Sequence, residues 1–316
     1  MKGKRILILG GTGALGKTLI SKYYNDNEII VFSRDEHKHY FLTKQYPKLL
    51  SCIGDIKDMQ SIMSCLYTYR PNVIINAAAL KHVPICQANP YESVKTNIIG
   101  HQNVIDSVRR VGGIETIIFV STDKACKPIN VYGMCKALAE ELYIGYANEQ
   151  KHTKVVLVRY GNVLESTGSV IPLFKGMIRS GVDTLPITHY EMTRFLLTLT
   201  EATDLIQNAY ESENSHGKIA IPKVQSLRVE DVANALIKRY ATKSVTTTQV
   251  GVRPGEKMHE EMISFEEWAR TEEYSTHFLI GQTIIRDEYK SYNSLDSLMD
   301  AAAAYDYLEK SGVFND

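Results

Sequence analysis

The stretch "STDKACKPINVYGMCK", residues 121–136, brings Thr122, Asp123, Lys124, Tyr132 and Lys136 together. Tyr132 and Lys136 are spaced i, i+4, so a helix there sets both on one face. A phenol with a pKa of ~10 is a weak base at neutral pH. A nearby cation favours phenolate, and a shift of about 3 units takes roughly 4 kcal/mol. Such a pair suits removal of a proton from a hydroxyl undergoing oxidation, and Ser121 and Thr122 are positioned to bond that hydroxyl. A plain oxidation leaves Asp123 and Lys124 without work. An adjacent acid and amine supply the two roles of an elimination beside a new ketone: a base for the acidified C–H and an acid for the departing hydroxyl. This requires Lys124 neutral and Asp123 protonated, both by desolvation. The plain alternative is a surface ion pair in a turn.

A second cluster lies 110 residues earlier. "GGTGALG" places Gly10, Gly13 and Gly16 in G-x-x-G-x-x-G spacing, with Thr12, Ala14 and Leu15 between them. It follows an apolar run, residues 5–9, and opens a helical pattern reaching about residue 24. Glycines there permit a tight turn, and the helix N-terminus offers free N–H groups to a pyrophosphate. The second strand ends in "SRDE", where a dinucleotide's ribose is expected. Ser33 and Arg34 suit the 2′-phosphate of NADP, whereas Asp35 one residue on keeps NAD as the alternative. Asp55, followed by Ile56, is placed to reach the adenine edge. Ala77, Ala78 and Ala79 are small where the nicotinamide ribose would pass, and Tyr160 and Asn162 are further expected cofactor contacts.

Elements that could position these groups follow from periodicity. Apolar runs at 5–9, 28–33, 49–54, 72–79, 116–121 and 154–161 read as strands. Helical patterns at about 58–69, 91–111 and 131–150 lie between them. Alternating strands and helices imply an α/β fold with a doubly wound parallel sheet. Past residue 161 the rhythm breaks into shorter pieces, with a terminal helix expected at 295–311. The expected division is residues 1–165 for an NADP-binding Rossmann domain and 166–316 for a smaller substrate-binding lobe, with some segments returning to the sheet.

The 316 residues carry 36 basic and 36 acidic side chains, so no basic surface points to nucleic acid or anionic lipid. No apolar run is long enough to span a membrane. Five scattered cysteines without a C-x-x-C read as reduced thiols, which implies a cytoplasmic location. "HEEM" at His259 lacks the second histidine of a zinc site. His82 and Cys86 are at most half a metal site, and "HKH" at 37–39 reads as a solvated turn.

The chain resembles the extended short-chain dehydrogenase/reductases of polysaccharide biosynthesis, specifically the UDP-N-acetylglucosamine 4,6-dehydratases. The resemblance rests on "ILGGTGALGK", "SRDE", "NAAALKHVP", "STDKACKPINVYGMCKALAE", "RYGNVLESTGSVIP", "PITHYEMTRFLLTL", "IAIPKVQSLRV" and "GVRPGEKMHEEMI", in order from residue 6 to 263. It implies that Thr122, Asp123, Lys124, Tyr132 and Lys136 are catalytic. It implies that Lys81 and His82 lie beside nicotinamide and substrate. Asn162, Ser169, Val170, Arg194, Arg253 and Glu256 would contact the UDP-sugar, the two arginines pairing with its diphosphate. The implied reaction oxidises sugar carbon 4, eliminates water across carbons 5 and 6, and returns the hydride to carbon 6, so tightly bound NADP is recycled. Some relatives carry Met at the position of Tyr132 or have an N-terminal membrane region. Tyr132 and the absence of such a region point to a soluble enzyme that inverts carbon 5. Dimers and hexamers among relatives imply a homo-oligomer.

Glu165 and Thr167 depart from the family pattern and bear on the 2-acetamido preference. The competing readings are a UDP-sugar 4-epimerase or UDP-glucose 4,6-dehydratase on the same fold, and an NADP-sensing binding protein without turnover. An epimerase has no use for Asp123 and Lys124, and a sensor has no use for Tyr132 and Lys136.

Overall fold

The computed structural model describes residues 1–164 and 168–315. Six strands, β1 (Arg5–Leu9), β2 (Glu28–Ser33), β3 (Leu50–Ile53), β4 (Val73–Asn76), β5 (Thr116–Val120) and β6 (Lys154–Val158), pair in parallel in the order β3-β2-β1-β4-β5-β6. The chain order reverses on either side of β1, which opens a crevice at the carboxyl ends of the strands. Apolar runs such as "RILIL" and "TIIFV" form strands here because helices cover both sheet faces. Leu7, Leu9, Ile30, Phe32 and Ile74 fill one core, and Ile6, Ile8, Ile29, Val31 and Ile75 the other.

Three later strands extend this sheet to nine among the described residues. Ile219–Pro222 continues parallel to β6, His277–Ile280 pairs antiparallel with Ile219–Pro222, and Thr271–Glu273 pairs antiparallel with His277–Ile280. A separate core of Ile171, Phe174, Leu185, Ile187, Leu227, Leu236 and Leu308 sits in the second half. The helix expected at 91–111 is interrupted by a π-turn at Lys95–Ile99. The terminal helix is shorter than expected, Ala301–Lys310, capped by the Asp300 side chain. The "HKH" segment is corrected outright. It belongs to a helix, Glu36–Gln45, and His39 is buried, bridging Ser33 Oγ (2.8 Å) and Ser51 Oγ (2.6 Å). Two serines on neighbouring strands satisfy both ring nitrogens, so the imidazole can leave water.

One buried ion cluster ties the returning chain to the sheet. Arg159 follows β6 and is 2% exposed. Its guanidinium donates to Glu140 (3.0 and 2.6 Å), to Glu267 (2.9 and 2.9 Å) and to the Met262 carbonyl (2.8 Å), so all five donors are used. Burial pushes the Glu267 carboxyl up, but the adjacent Arg159 outweighs it and holds the group at about 2. Removing the cation strands the buried Glu140 carboxylate and the partly buried Glu267 carboxylate. Arg159→Met is therefore expected to cost roughly 3–5 kcal/mol, measured by the urea midpoint. A loss below ~1 kcal/mol would show that the cluster is dispensable for stability.

Candidate functional site

The first turn after β1 shows why glycine is needed. Gly10 has φ +78°, and a Cβ there would lie 2.9 Å from the Ala78 backbone. The turn therefore packs against the "NAAA" strand end with no room for a side chain. The helix α1 (Ala14–Tyr23) that follows has no side-chain cap and no acid in its first turn. Its free N–H groups and the positive end of its dipole suit an anion. Thr12 Oγ1 bonds Ser33 Oγ at 2.9 Å, joining the cradle to the end of β2.

Farther along the crevice, Thr122 starts the short 3-10 turn Asp123–Ala125 at the end of β5. Helix Val131–Glu149 is packed on that turn through Gly133, where a Cβ would come within 2.2 Å of the Lys124 carbonyl oxygen. Asn130 caps the helix by accepting from the Gly133 N–H (2.8 Å), and its Nδ2 donates to the Gly255 carbonyl (2.8 Å). This bond connects the helix to the "RPGEK" loop.

These elements enclose a cleft of about 1200 Å³. Every sequence-predicted site residue borders it except Asp123, which is fully buried directly behind Lys124. Its volume exceeds the usual space for one small ligand. Glu165 and Thr167, expected to bear on the 2-acetamido preference, lie outside the described residues. No metal-holding cluster occurs among the described residues, so His82 and Cys86 gain no further ligands.

The reacting groups differ in detail from expectation. Lys124 Nζ bonds Asp123 Oδ1 (2.9 Å) and Oδ2 (3.1 Å) and Asn162 Oδ1 (2.8 Å). It also lies 3.3 Å from Glu260 Oε1. Burial disfavours the ammonium, but the Asp123 and Glu260 carboxylates outweigh burial and hold it above the ordinary lysine range. The expected neutral lysine is thus corrected: the resting group is a cation. Asp123 is pushed up by burial, with Glu260 adding to the rise and Lys124 opposing it. That direction agrees with expectation.

The expected Tyr132–Lys136 coupling is also corrected. Lys136 Nζ donates to the Val120 carbonyl (2.6 Å) and lies 3.9 Å from the Phe119 ring centroid, and it makes no hydrogen bond to Tyr132. Burial lowers Lys136 to about 7. Burial pushes the Tyr132 phenol up, and a Thr122 hydrogen bond partly offsets this. Ser121 donates to Glu140 (2.5 Å) and is committed to the Arg159 cluster instead of a ligand hydroxyl.

Toward the second half, the Ser169 hydroxyl and Glu256 Oε2 are buried without a hydrogen-bond partner among the described residues. Both border the cleft and are available to a polar ligand. Arg253 is exposed and pairs with Glu256 (2.7 Å). Arg194 faces inward, donating to the Thr193 carbonyl (2.7 Å), with its Nε 3.7 Å from Glu260. Val170 begins helix Val170–Arg179 behind Ser169. Lys81 is pushed below the ordinary lysine range by burial. Sequence reasoning missed Glu260 because "HEEM" drew attention only as a failed zinc motif. Its position three residues after Lys257 carries no recognisable spacing signal.

Residues 6–282 match the family model described as polysaccharide biosynthesis protein. The chain is 39% identical over 288 residues to a protein named UDP-N-acetylglucosamine 4,6-dehydratase (inverting) from Campylobacter jejuni, covering 89% of this chain and 84% of that one. It is also 35% identical over 338 aligned positions, 97% of each chain, to a protein named UDP-glucose 4-epimerase from Rickettsia rickettsii. The X-ray structure of Pen from Bacillus thuringiensis superposes with a TM-score of 0.92 at 29% identity, covering 99% of both chains. The chain belongs to the polysaccharide biosynthesis protein family.

Proposed function

We propose that the protein is an NADP-dependent UDP-N-acetylglucosamine 4,6-dehydratase that inverts carbon 5. The observation that carries this reading is the Asp123–Lys124 pair at the cleft wall, with Asp123 fully buried and Lys124 partly so, bonded at 2.9 Å. An epimerase of the kind named for the Rickettsia relative reverses one carbon and needs no acid–base pair for losing water. In this reading residues 1–165 form the nucleotide-binding unit and most of 166–316 the sugar-binding lobe.

The glycine cradle and the uncapped helix fit a dinucleotide pyrophosphate. Asp35 caps the next helix through the Lys38 N–H (3.1 Å) and pairs with Lys38 Nζ (2.8 Å). It is therefore turned to its own helix, which leaves Ser33 and Arg34 for a 2′-phosphate and favours NADP over NAD. Bound there, NADP⁺ supplies reversible hydride acceptance. Tyr132, with Thr122, takes the proton of the carbon 4 hydroxyl. Lys124 and Asp123 serve carbons 5 and 6. Lys81 and His82 border the nicotinamide end. Asn162, Ser169, Val170, Arg194, Arg253 and Glu256 orient the sugar nucleotide. Of the two arginines, exposed Arg253 has the freer reach to a diphosphate.

Five free cysteines accord with a reducing compartment, and no helix among the described residues is long and apolar enough to cross a membrane. We assign the enzyme to the cytoplasm. Met134 and Leu138 lie one turn apart, both exposed on helix Val131–Glu149, and support self-association.

Two variants test this reading. Lys124→Ala is expected to lower formation of the 4-keto-6-deoxy product by roughly 10²–10⁴-fold while NADP still binds. Wild-type turnover in this variant would remove Lys124 from the chemistry. Gly10→Ala is expected to weaken NADP binding at least tenfold, about 1.4 kcal/mol by calorimetry. Unchanged affinity would mean that the dinucleotide does not sit in this cradle.

A further inference from the structure

Glu260 occupies a position that the reaction as described does not use. It is 3% exposed, borders the cleft, and has Oε1 3.3 Å from Lys124 Nζ. Arg194 Nε stands 3.7 Å from the same oxygen, and Lys257 Nζ is 4.0 Å from Oε2. Oε2 has no hydrogen-bond partner among the described residues. The backbone is clamped: Glu260 N donates to Ser294 Oγ (2.9 Å), and Ser294 N donates back to the Glu260 carbonyl (2.8 Å). A carboxylate fixed this rigidly among three cations, beside a second carboxylate on the same lysine, has an electrostatic role.

We propose that Glu260 is the positioning residue whose fixed negative charge keeps the Asp123–Lys124 pair loaded with one transferable proton throughout dehydration. The inference rests on the dehydratase reading above. The loaded pair can be written as ammonium and carboxylate. Shifting the proton across the 2.9 Å bond from Nζ to Oδ1 gives amine and carboxylic acid. The amine takes the carbon 5 proton while the acid gives its proton to the carbon 6 hydroxyl. The C5–H and C6–O bonds break, a C5=C6 double bond forms, and water leaves. The pair is again ammonium and carboxylate, with its proton count unchanged. Once carbon 6 is a methyl group, inversion requires carbon 5 to be reprotonated from the face opposite Lys124, so the pair keeps its proton. The proton that Tyr132 took from the carbon 4 hydroxyl balances that step, and the sum is loss of one water.

Without Glu260, the loaded pair faces two unopposed cations, Arg194 and Lys257. The charged and titratable groups around it are Arg194 on strand Thr193–Leu197, Lys257, His259 and Glu261 on its own segment, Tyr132 on the packed helix, and Tyr160 after β6. Lys127 pairs with Glu261 at 3.2 Å and His259 bonds the Thr193 hydroxyl at 2.9 Å, so both are engaged elsewhere. Arg194 and Lys257 both repel a proton on Lys124. Glu260, held below the ordinary carboxylate range because Lys124, Arg194 and Lys257 overcome the effect of burial, stays ionised and attracts it. The sign follows: removing this negative charge lowers the pair's proton affinity, so the alkaline limb of activity moves to lower pH.

The test compares full-length wild type with Glu260→Gln and Glu260→Asp. The Lys124 side chain, labelled with ¹³C and ¹⁵N and assigned by its loss in Lys124→Arg, is titrated by NMR without substrate. The expected result is a midpoint above ~10.4, the ordinary lysine value, in wild type. It is expected to fall at least tenfold in proton affinity in Glu260→Gln and to be largely restored in Glu260→Asp. The alkaline limb of methyl formation from UDP-N-acetylglucosamine should shift by the same amount. An equal midpoint in wild type and Glu260→Gln overturns the proposal. If Glu260→Gln does not fold, a wild-type Lys124 midpoint below the ordinary value overturns it alone, because burial then prevails over Glu260. The titration uses no substrate, so failure of the dehydratase reading is seen separately, as absence of product from wild type.

Discussion

The active arrangement depends on the buried guanidinium of Arg159. Charges taken out of water are costly unless every donor and lone pair is met, and here one cation satisfies two carboxylates and a carbonyl. Glu140 comes from the helix that carries Tyr132 and Lys136. Glu267 belongs to the Ser264-capped turn at Phe265–Trp268, just past Glu260. Gripping both, Arg159 brings a segment from late in the chain against the carboxyl ends of β5 and β6. The cleft is thereby closed by side chains more than 130 residues apart in sequence, such as Lys124 and Glu260.

The charge states around the cleft follow from burial more than from pairwise neighbours. Desolvation raises Tyr132 and Asp123 and brings Lys136 to about 7. Lys124 and Glu260 are exceptions, because opposite charges outweigh burial at each. In the proposed elimination, a neutral amine and a protonated acid are reached by moving one proton along the 2.9 Å bond inside the pair. Low local dielectric strengthens each of these interactions and makes the placement of every charge consequential.

The parallel half of the fold was readable because its strands are buried on both faces and appear as apolar runs closed by glycines. The cradle at Gly10, Gly13 and Gly16 was readable because close backbone approach leaves glycine as the fitting residue. Tyr132 and Lys136 were visible as a helical pair, yet their mutual orientation was not, since the Val120 carbonyl captures Lys136 only once β5 is in place. His39 looked solvated because its partners Ser33 and Ser51 come from two separate strands. Glu260 and Glu267 were illegible for a similar reason. Their meaning arises from a long-range return of the chain, and the antiparallel strands that deliver it are too short to show a period.

The most direct test of the central claim, elimination by Asp123 and Lys124, is proton NMR of the purified protein with UDP-N-acetylglucosamine in deuterated water and no added cofactor. A new carbon 6 methyl signal, deuterium at carbon 5 and couplings of the inverted L-configured product are expected. Interconversion at carbon 4 alone, with carbon 6 still bearing its hydroxyl, would contradict the claim and assign the chain to epimerisation.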